Sequence, residues 1–344
     1  GCCSSIRRDV DPGLRRRRSA PSARHHENSS RPDEFSWYRA PMTLAVSRPA
    51  LESSIRTALS RSPAVALVGP LLGSASPALL RQSSESLAGR LEIVDIDGFA
   101  LSETGIDQLD RLWTRGGFPR SFLGASEEDS LAWREAFVRL TVERDLPNLG
   151  LGAPPELIRR LWAMLAHYHG QVMNASDIAR SLAISEASVR RYVDFLAGAL
   201  LVRPLQPWFE NLAKRQVKTP KIYVRDSGLL HALLHIGSHS ALLQHPKLGA
   251  SWEGFMLEQI LWHARPSEAY FWATHQGAEL DLLMLKHGRR VGVEFKRTDA
   301  PKLTPSMKIA MQDLRLDALL AVYPGTKSYG LAENVLAVPA RDVA

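Results

Sequence analysis

An α/β fold is what this chain predicts, and three observations predict it. Pro63-Ala64-Val65-Ala66-Leu67-Val68 is a short apolar run of the buried-strand kind, and it follows a segment, Leu51 to Ser60, whose Ile55, Ala58 and Leu59 recur at helical spacing. Two alternating runs, Gly277-Ala278-Glu279-Leu280-Asp281-Leu282-Leu283 and Val291-Gly292-Val293-Glu294-Phe295-Lys296, flank His287-Gly288-Arg289-Arg290 and read as a hairpin. The length of 344 residues with 45% hydrophobic content suffices for two or three cored domains.

Residues 1–41 are rich in Arg, Ser, Pro and His, with an unbroken basic run from Arg15 to Arg18. Such a segment cannot bury a core and is expected to be disordered, and it reads as translated upstream sequence because Met42 opens the first patterned stretch. The strand ending at Val68 runs into Gly69-Pro70-Leu71-Leu72-Gly73-Ser74-Ala75-Ser76, which has the outline of a phosphate-binding loop. A working loop needs Gly-Lys-Ser/Thr so that the Lys reaches the phosphates and the hydroxyl ligates magnesium. Here the Lys position falls on Ala75 and Pro77 stands where amide donors are wanted, so Gly69, Pro70 and Gly73 form a degenerate loop and ATP is not expected to be hydrolysed.

Asn174 to Leu196 has the rhythm of a helix-turn-helix. Ser176 is expected to cap its first helix and Ser185 its second, with Ile178, Ala179 and Leu182, then Val189, Tyr192, Val193 and Leu196, facing inward. That leaves Ser188, Arg190 and Arg191 outward, where they could meet a DNA duplex or only solvent.

In the C-terminal hairpin, Asp281, Glu294 and Lys296 are brought together. Two carboxylates to ligate a hard divalent cation, Mg2+ or Mn2+, and an ammonium to hold a water beside it are what a nuclease needs. The plain alternative is a cross-strand ion pair. Leu280, Leu282, Val293 and Phe295 are expected to cover one face of the hairpin and hold the acids on a rigid edge.

Beyond these local readings, the chain resembles bacterial and archaeal AAA-type ATPases that carry a C-terminal restriction-endonuclease-like domain of unknown function. The resemblance rests on Val65-Ala66-Leu67-Val68-Gly69-Pro70 as the opening of a Walker A loop, and on Leu71 to Arg90 as the later sensor block. Further along, Gly98-Phe99-Ala100-Leu101-Ser102-Glu103, Trp113-Thr114-Arg115-Gly116-Gly117-Phe118-Pro119 and Arg144-Asp145-Leu146 resemble the post-sensor and lid regions. Pro207 to Asn211 and Pro220 to Leu229 resemble the linker into the last domain. Most of Walker A and all of Walker B are missing between the first two blocks.

The resemblance implies a truncated P-loop AAA-type remnant at 42–105, a helical lid at 106–150, a winged helix at 151–206 and a restriction-endonuclease-like α/β domain at 207–344. In such nuclease-like folds an acid from the first helix completes the metal site, which makes Glu253 the metal-ligand candidate and Glu258 its reserve. The missing central strands would leave apolar edges at Val65 to Val68 and Ile93 to Ile96, inviting self-association.

Composition bears on partners only broadly. The net charge of +7 and pI near 9.6 favour polyanions such as DNA. Cys2 and Cys3 are adjacent and give neither a disulfide framework nor a metal-ligand spacing. No apolar run approaches the ~20 residues that cross a bilayer, so a cytoplasmic location without membrane partners is the expectation. Three functions stay open at this point: a nucleic-acid-associated ATPase relative that has lost hydrolysis, a metal-dependent DNA nuclease, and a deletion product without a task.

Overall fold

A computed structural model describes residues 48–62, 64–69, 91–209 and 216–343. The basic N-terminal segment with Cys2 and Cys3, Pro70 and Gly73 of the degenerate loop, the block up to Arg90, and Lys214 with Arg215 lie outside the described residues. Among the described residues no helix is long and apolar enough to cross a membrane.

Helix α1 (Pro49–Arg61) leads into β1 (Ala64–Val68), which pairs in parallel with β2 (Leu91–Asp95) from Ala64–Leu91 to Val68–Asp95. The open edges expected at Val65–Val68 and Ile93–Ile96 are thus partly closed, because the two strands face each other. Gly69 continues this close approach: a Cβ there would lie 2.0 Å from the Ile96 carbonyl oxygen, so no side chain fits. Arg48 fastens the start of α1 by donating to Glu103 Oε1 at 2.7 Å and to the Asp97 carbonyl at 3.0 Å.

Helices α2 (Leu109–Arg115) and α3 (Glu127–Leu140) follow, the latter capped by Ser126, whose hydroxyl accepts from Asp129 N–H. Trp113 of α2 is fully buried. Its indole N–H donates to Ser251 Oγ at 2.9 Å, and the same hydroxyl meets His231 Nε2 at 2.7 Å, so Ser251 fastens α2 to the later helices. Burial holds His231 neutral, with its pKa pushed down to about 3.

The middle of the chain runs α4 (Pro155–His167), β3 (Gln171–Val172), α5 (Ala175–Leu182), α6 (Glu186–Gly198), β4 (Val202–Leu205) and β5 (Lys221–Val224). The inner faces are buried as the spacing requires, at Ile178, Ala179 and Leu182 and at Val189, Tyr192, Val193 and Leu196. Ser185 caps α6 as expected. The cap of α5 is Asn174 rather than Ser176: its side-chain oxygen accepts from both Ser176 and Asp177 N–H, and Ser176 is already inside the first turn. Between the helices Ala183 takes a left-handed conformation, φ 54°, which makes the turn tight. Strand β5 is central in a three-stranded antiparallel sheet of order β3-β5-β4.

The segment from Pro220 to Leu229, which the resemblance makes part of a linker, forms β5 and the start of α7 (Ser227–Leu233). Helix α8 (Leu248–Ala264) then precedes β6 (Glu268–Ala273), β7 (Glu279–Lys286), β8 (Arg289–Phe295), α9 (Pro305–Asp313), β9 (Ala318–Tyr323), β10 (Tyr329–Ala332) and β11 (Val335–Pro339). The six strands form one mixed sheet, order β10-β11-β9-β8-β7-β6, in which β8, β9 and β11 run parallel and the remaining neighbours antiparallel. The expected hairpin is β7–β8, closed by His287 (φ 50°) and Gly288 (φ 75°), two positive-φ residues of the kind a tight right-twisted hairpin demands.

One expectation fails at the hairpin. Tyr270 faces Leu283 and Trp272 faces Leu280, so the two residues Asp281 and Leu282 stand opposite Phe271 alone. This β-bulge breaks the alternation. Leu280 therefore packs with Leu283, Trp272, the α9 residues Met307 and Ala310, and Leu314 just after α9, in a core that does not include Leu282, Val293 and Phe295.

Helix α8 meets the turn before β3 and strand β5 at Gly254. An added Cβ would stand 2.1 Å from His169 Nε2 and 3.2 Å from the Tyr223 ring. Glycine to alanine in a helix interior ordinarily gains about 1 kcal/mol, but a buried clash of this kind costs about 1–3 kcal/mol, so the clash wins. Gly254→Ala is expected to lower the urea midpoint without changing the slope, and a raised midpoint would show that His169 yields freely.

Candidate functional site

The acids expected from the hairpin do converge. Asp281 and Glu294 are buried, 8% and 7% exposed. The β7–β8 ladder runs from Lys286–Arg289 to Leu282–Val293, and just past its end the Phe295 N–H is taken by Asp281 Oδ2 at 2.9 Å. The bulge thus aims Asp281 at the point where the strands part. Glu294 Oε1 accepts from Lys296 Nζ at 2.6 Å, while Glu294 Oε2 is buried without a hydrogen-bond partner. Glu253 reaches the same cluster from α8.

Two groups that sequence reasoning missed complete it. Lys221, on the central strand β5, points its ammonium among three carboxylates: Glu253 Oε1 at 3.4 Å, Asp281 Oδ1 at 3.7 Å, and Glu279 Oε1 in close contact. Tyr223, two residues along the same strand, donates its hydroxyl to Glu253 Oε1 at 2.6 Å. The signal for Lys221 lay in Pro220-Lys221-Ile222-Tyr223-Val224, an apolar strand with one ammonium in it. The signal for Glu279 lay two residues before Asp281.

Glu258, the reserve ligand, belongs elsewhere. It takes a bidentate contact from Arg203, at 2.5 and 2.7 Å, and a further one from Arg225 at 3.4 Å, and Arg225 in turn holds Asp97 at 2.9 Å. Burial alone would raise its pKa, but the two guanidiniums outweigh it and hold the carboxyl low.

The electrostatics of the two groups differ accordingly. The acid cluster counts four carboxylates, Glu253, Glu279, Asp281 and Glu294, against two ammoniums, Lys221 and Lys296. Burial first, and then the charge of Asp281, pushes the carboxyls of Glu253 and Glu294 up to about 7, so each can exchange a proton near neutrality. Burial likewise raises Asp281. Lys221 would be lowered by its burial, but Glu253, Asp281 and Glu279 hold it well above the usual lysine value.

As arranged, these residues do not fit a divalent cation. Lys221 occupies the ground between Glu253, Glu279 and Asp281, and among the described residues no group of three or more His, Cys, Asp or Glu side chains is disposed to hold a metal ion. The other predicted residues lie on α6. Ser188 is half-buried with its hydroxyl 2.9 Å from that of Ser185; Arg190 is exposed and pairs with Glu186 at 3.2 Å; Arg191 is exposed, over the Tyr192 ring. Of the degenerate loop only Gly69 is described, and it is buried.

Comparison with known proteins gives two domain matches and two relatives. Residues 106–240 match a domain of unknown function, DUF8612, and residues 248–343 match another, DUF4143. Two curated relatives, the uncharacterized protein Rv2008c of Mycobacterium tuberculosis and the uncharacterized protein Mb2031c of Mycobacterium bovis, are each 50% identical over 273 residues. That stretch is 79% of this chain and 62% of each relative, so the chain spans less than two thirds of their length. No solved structure matches the chain.

The raised carboxyl of Glu294 gives a pH test. Its folded pKa of about 7 lies above the usual 4.5, so between those values the native state binds more protons than the unfolded one, and stability falls as pH rises through that window. A glutamine cannot titrate. Relative to the parent, Glu294→Gln should gain about 1–3 kcal/mol between pH 4.5 and pH 8 in urea denaturation. A difference independent of pH would remove Glu294 from the proton balance.

Proposed function

We propose that the chain is a nucleic-acid-associated member of an AAA-type ATPase family that has lost nucleotide hydrolysis. The observation that carries this reading is the order α4-β3-α5-α6-β4-β5, which is that of a winged helix, with Arg190 and Arg191 outward on its second helix. Their present contacts are weak, since an exposed pair four residues apart contributes about 0.3–0.5 kcal/mol, so either arginine can turn to a phosphate at little cost. The DUF4143 match supports the family side, because that domain is typically found in AAA-ATPase-associated proteins. A block missing between Pro70 and Leu71 would account for part of the length that the relatives have and this chain has not.

A metal-dependent nuclease is the second reading. The order α8-β6-β7-β8-α9-β9 with Asp281 at the bulge and Glu294-x-Lys296 on the next strand favours it, since this is the layout of a restriction-endonuclease-like core. The position of Lys221 counts against it in the present arrangement.

Affinity for duplex DNA is expected to be mainly electrostatic. The double change Arg190→Ala, Arg191→Ala should weaken binding to every sequence by a similar factor and lower the logarithmic salt slope by about 2. Unchanged binding in a salt titration followed by fluorescence anisotropy would take the helix-turn-helix out of the reading.

Nucleotide chemistry is expected to be absent. Without a loop Lys and a Walker B carboxylate, neither the phosphate charge nor magnesium is held. Calorimetry with ATP and magnesium should record no binding, and micromolar affinity that is lost on changing Gly69 would overturn the first reading.

A further inference from the structure

The acid cluster of the C-terminal sheet is already neutralised in part, and the neutralising group comes from a different sheet. Lys221 is 4% exposed in its side chain and sits on the strand between β3 and β4, paired with Val172 on one side and Leu205 on the other. Its ammonium also stands over the Phe271 ring, 5.5 Å from the centroid. The side chain is therefore gripped along its length, and the ammonium cannot leave the carboxylates while β5 stays in its sheet.

A divalent cation would need the same oxygens. Glu253 Oε1 is taken by Lys221 and Tyr223, Asp281 Oδ2 by the Phe295 amide, and Asp281 Oδ1 faces Lys221. Glu294 Oε2 is buried without a hydrogen-bond partner, but the oxygens that converge at the centre of the cluster, Glu253 Oε1, Glu279 Oε1 and Asp281 Oδ1, all face the Lys221 ammonium, and magnesium or manganese takes several oxygens at once. A second cation at contact distance from an ammonium would meet strong like-charge repulsion at this depth.

We propose that Lys221 is the resident cation of this acid cluster and excludes divalent metal from it, so that the helix-turn-helix unit, through β5, governs what the C-terminal site can bind. The inference holds whether or not the chain touches nucleic acid, because it concerns only the contest between one ammonium and a metal ion for Glu253, Glu279 and Asp281.

The test uses the full chain and Mn2+ alone. The parent should bind no Mn2+ in a paramagnetic-resonance titration, and its melting temperature should not respond to the ion. Lys221→Met leaves Glu253, Glu279 and Asp281 without the ammonium they share; it should melt lower, take up one Mn2+ about tenfold or more tightly than the parent, and recover melting temperature with the ion. A further Glu253→Gln change should abolish the uptake. Equal Mn2+ affinity in parent and Lys221→Met, or none in a folded Lys221→Met, would overturn the proposal. Should that variant not fold, amine modification of the parent decides: Lys221 should stay unmodified while the exposed Lys302 reacts, with and without Mn2+. Modification of Lys221 that appears on adding Mn2+ would overturn the proposal equally.

Discussion

A single buried ammonium ties the two halves of this protein together. Removing a charge from water costs several kcal/mol unless close partners replace the hydration, and Lys221 meets that cost with Glu253, Glu279 and Asp281. The partners come from α8 and β7, whereas Lys221 comes from β5 of the small three-stranded sheet. Neither side is a finished structure alone: without Lys221 the carboxylates repel one another in a poorly solvated place, and without them the ammonium is stranded.

Two glutamates of one helix show how position selects fate. Glu253 and Glu258 are five residues apart on α8, about 140° around the helix axis, so they cannot serve one site. Glu258 turns to Arg203 and Arg225 and finds full compensation in a network that reaches Asp97 after β2. Glu253 turns to a cluster with more carboxylates than cations. The first is structural cement; the second keeps an excess of carboxylates over cations that a proton can relieve.

Much of this was legible in the sequence where it was local. The β7–β8 hairpin, the inner faces of α5 and α6, and the meeting of Asp281, Glu294 and Lys296 follow from periods of two and of 3.6 residues and from a Gly-containing turn. The cap at Asn174 was misassigned because Asn and Ser are both capping residues and only the backbone path decides between them. The bulge at Asp281-Leu282 was invisible because Leu280, Leu282 and Leu283 are all apolar, and only the pairing with β6 shows where the extra residue stands. Lys221 and Tyr223 were missed for a different reason: their partnership with the acids spans dozens of residues, and no local pattern reports a contact made through folding. Glu258 looked equivalent to Glu253 until its arginines were in place.

The connection between β4 and β5 has a consequence of its own. Gln206 and Trp208 exchange backbone hydrogen bonds with Phe271, and Val217 donates to the Ala273 carbonyl, so the described ends of this connection lie along β6, the last strand of the large sheet. These backbone groups of β6 are thereby paired instead of being left open. A chain severed between the two halves would expose the backbone donors and acceptors of β6, a ready template for the same strand of another molecule. Cohesion and resistance to aggregation thus rest on one loop.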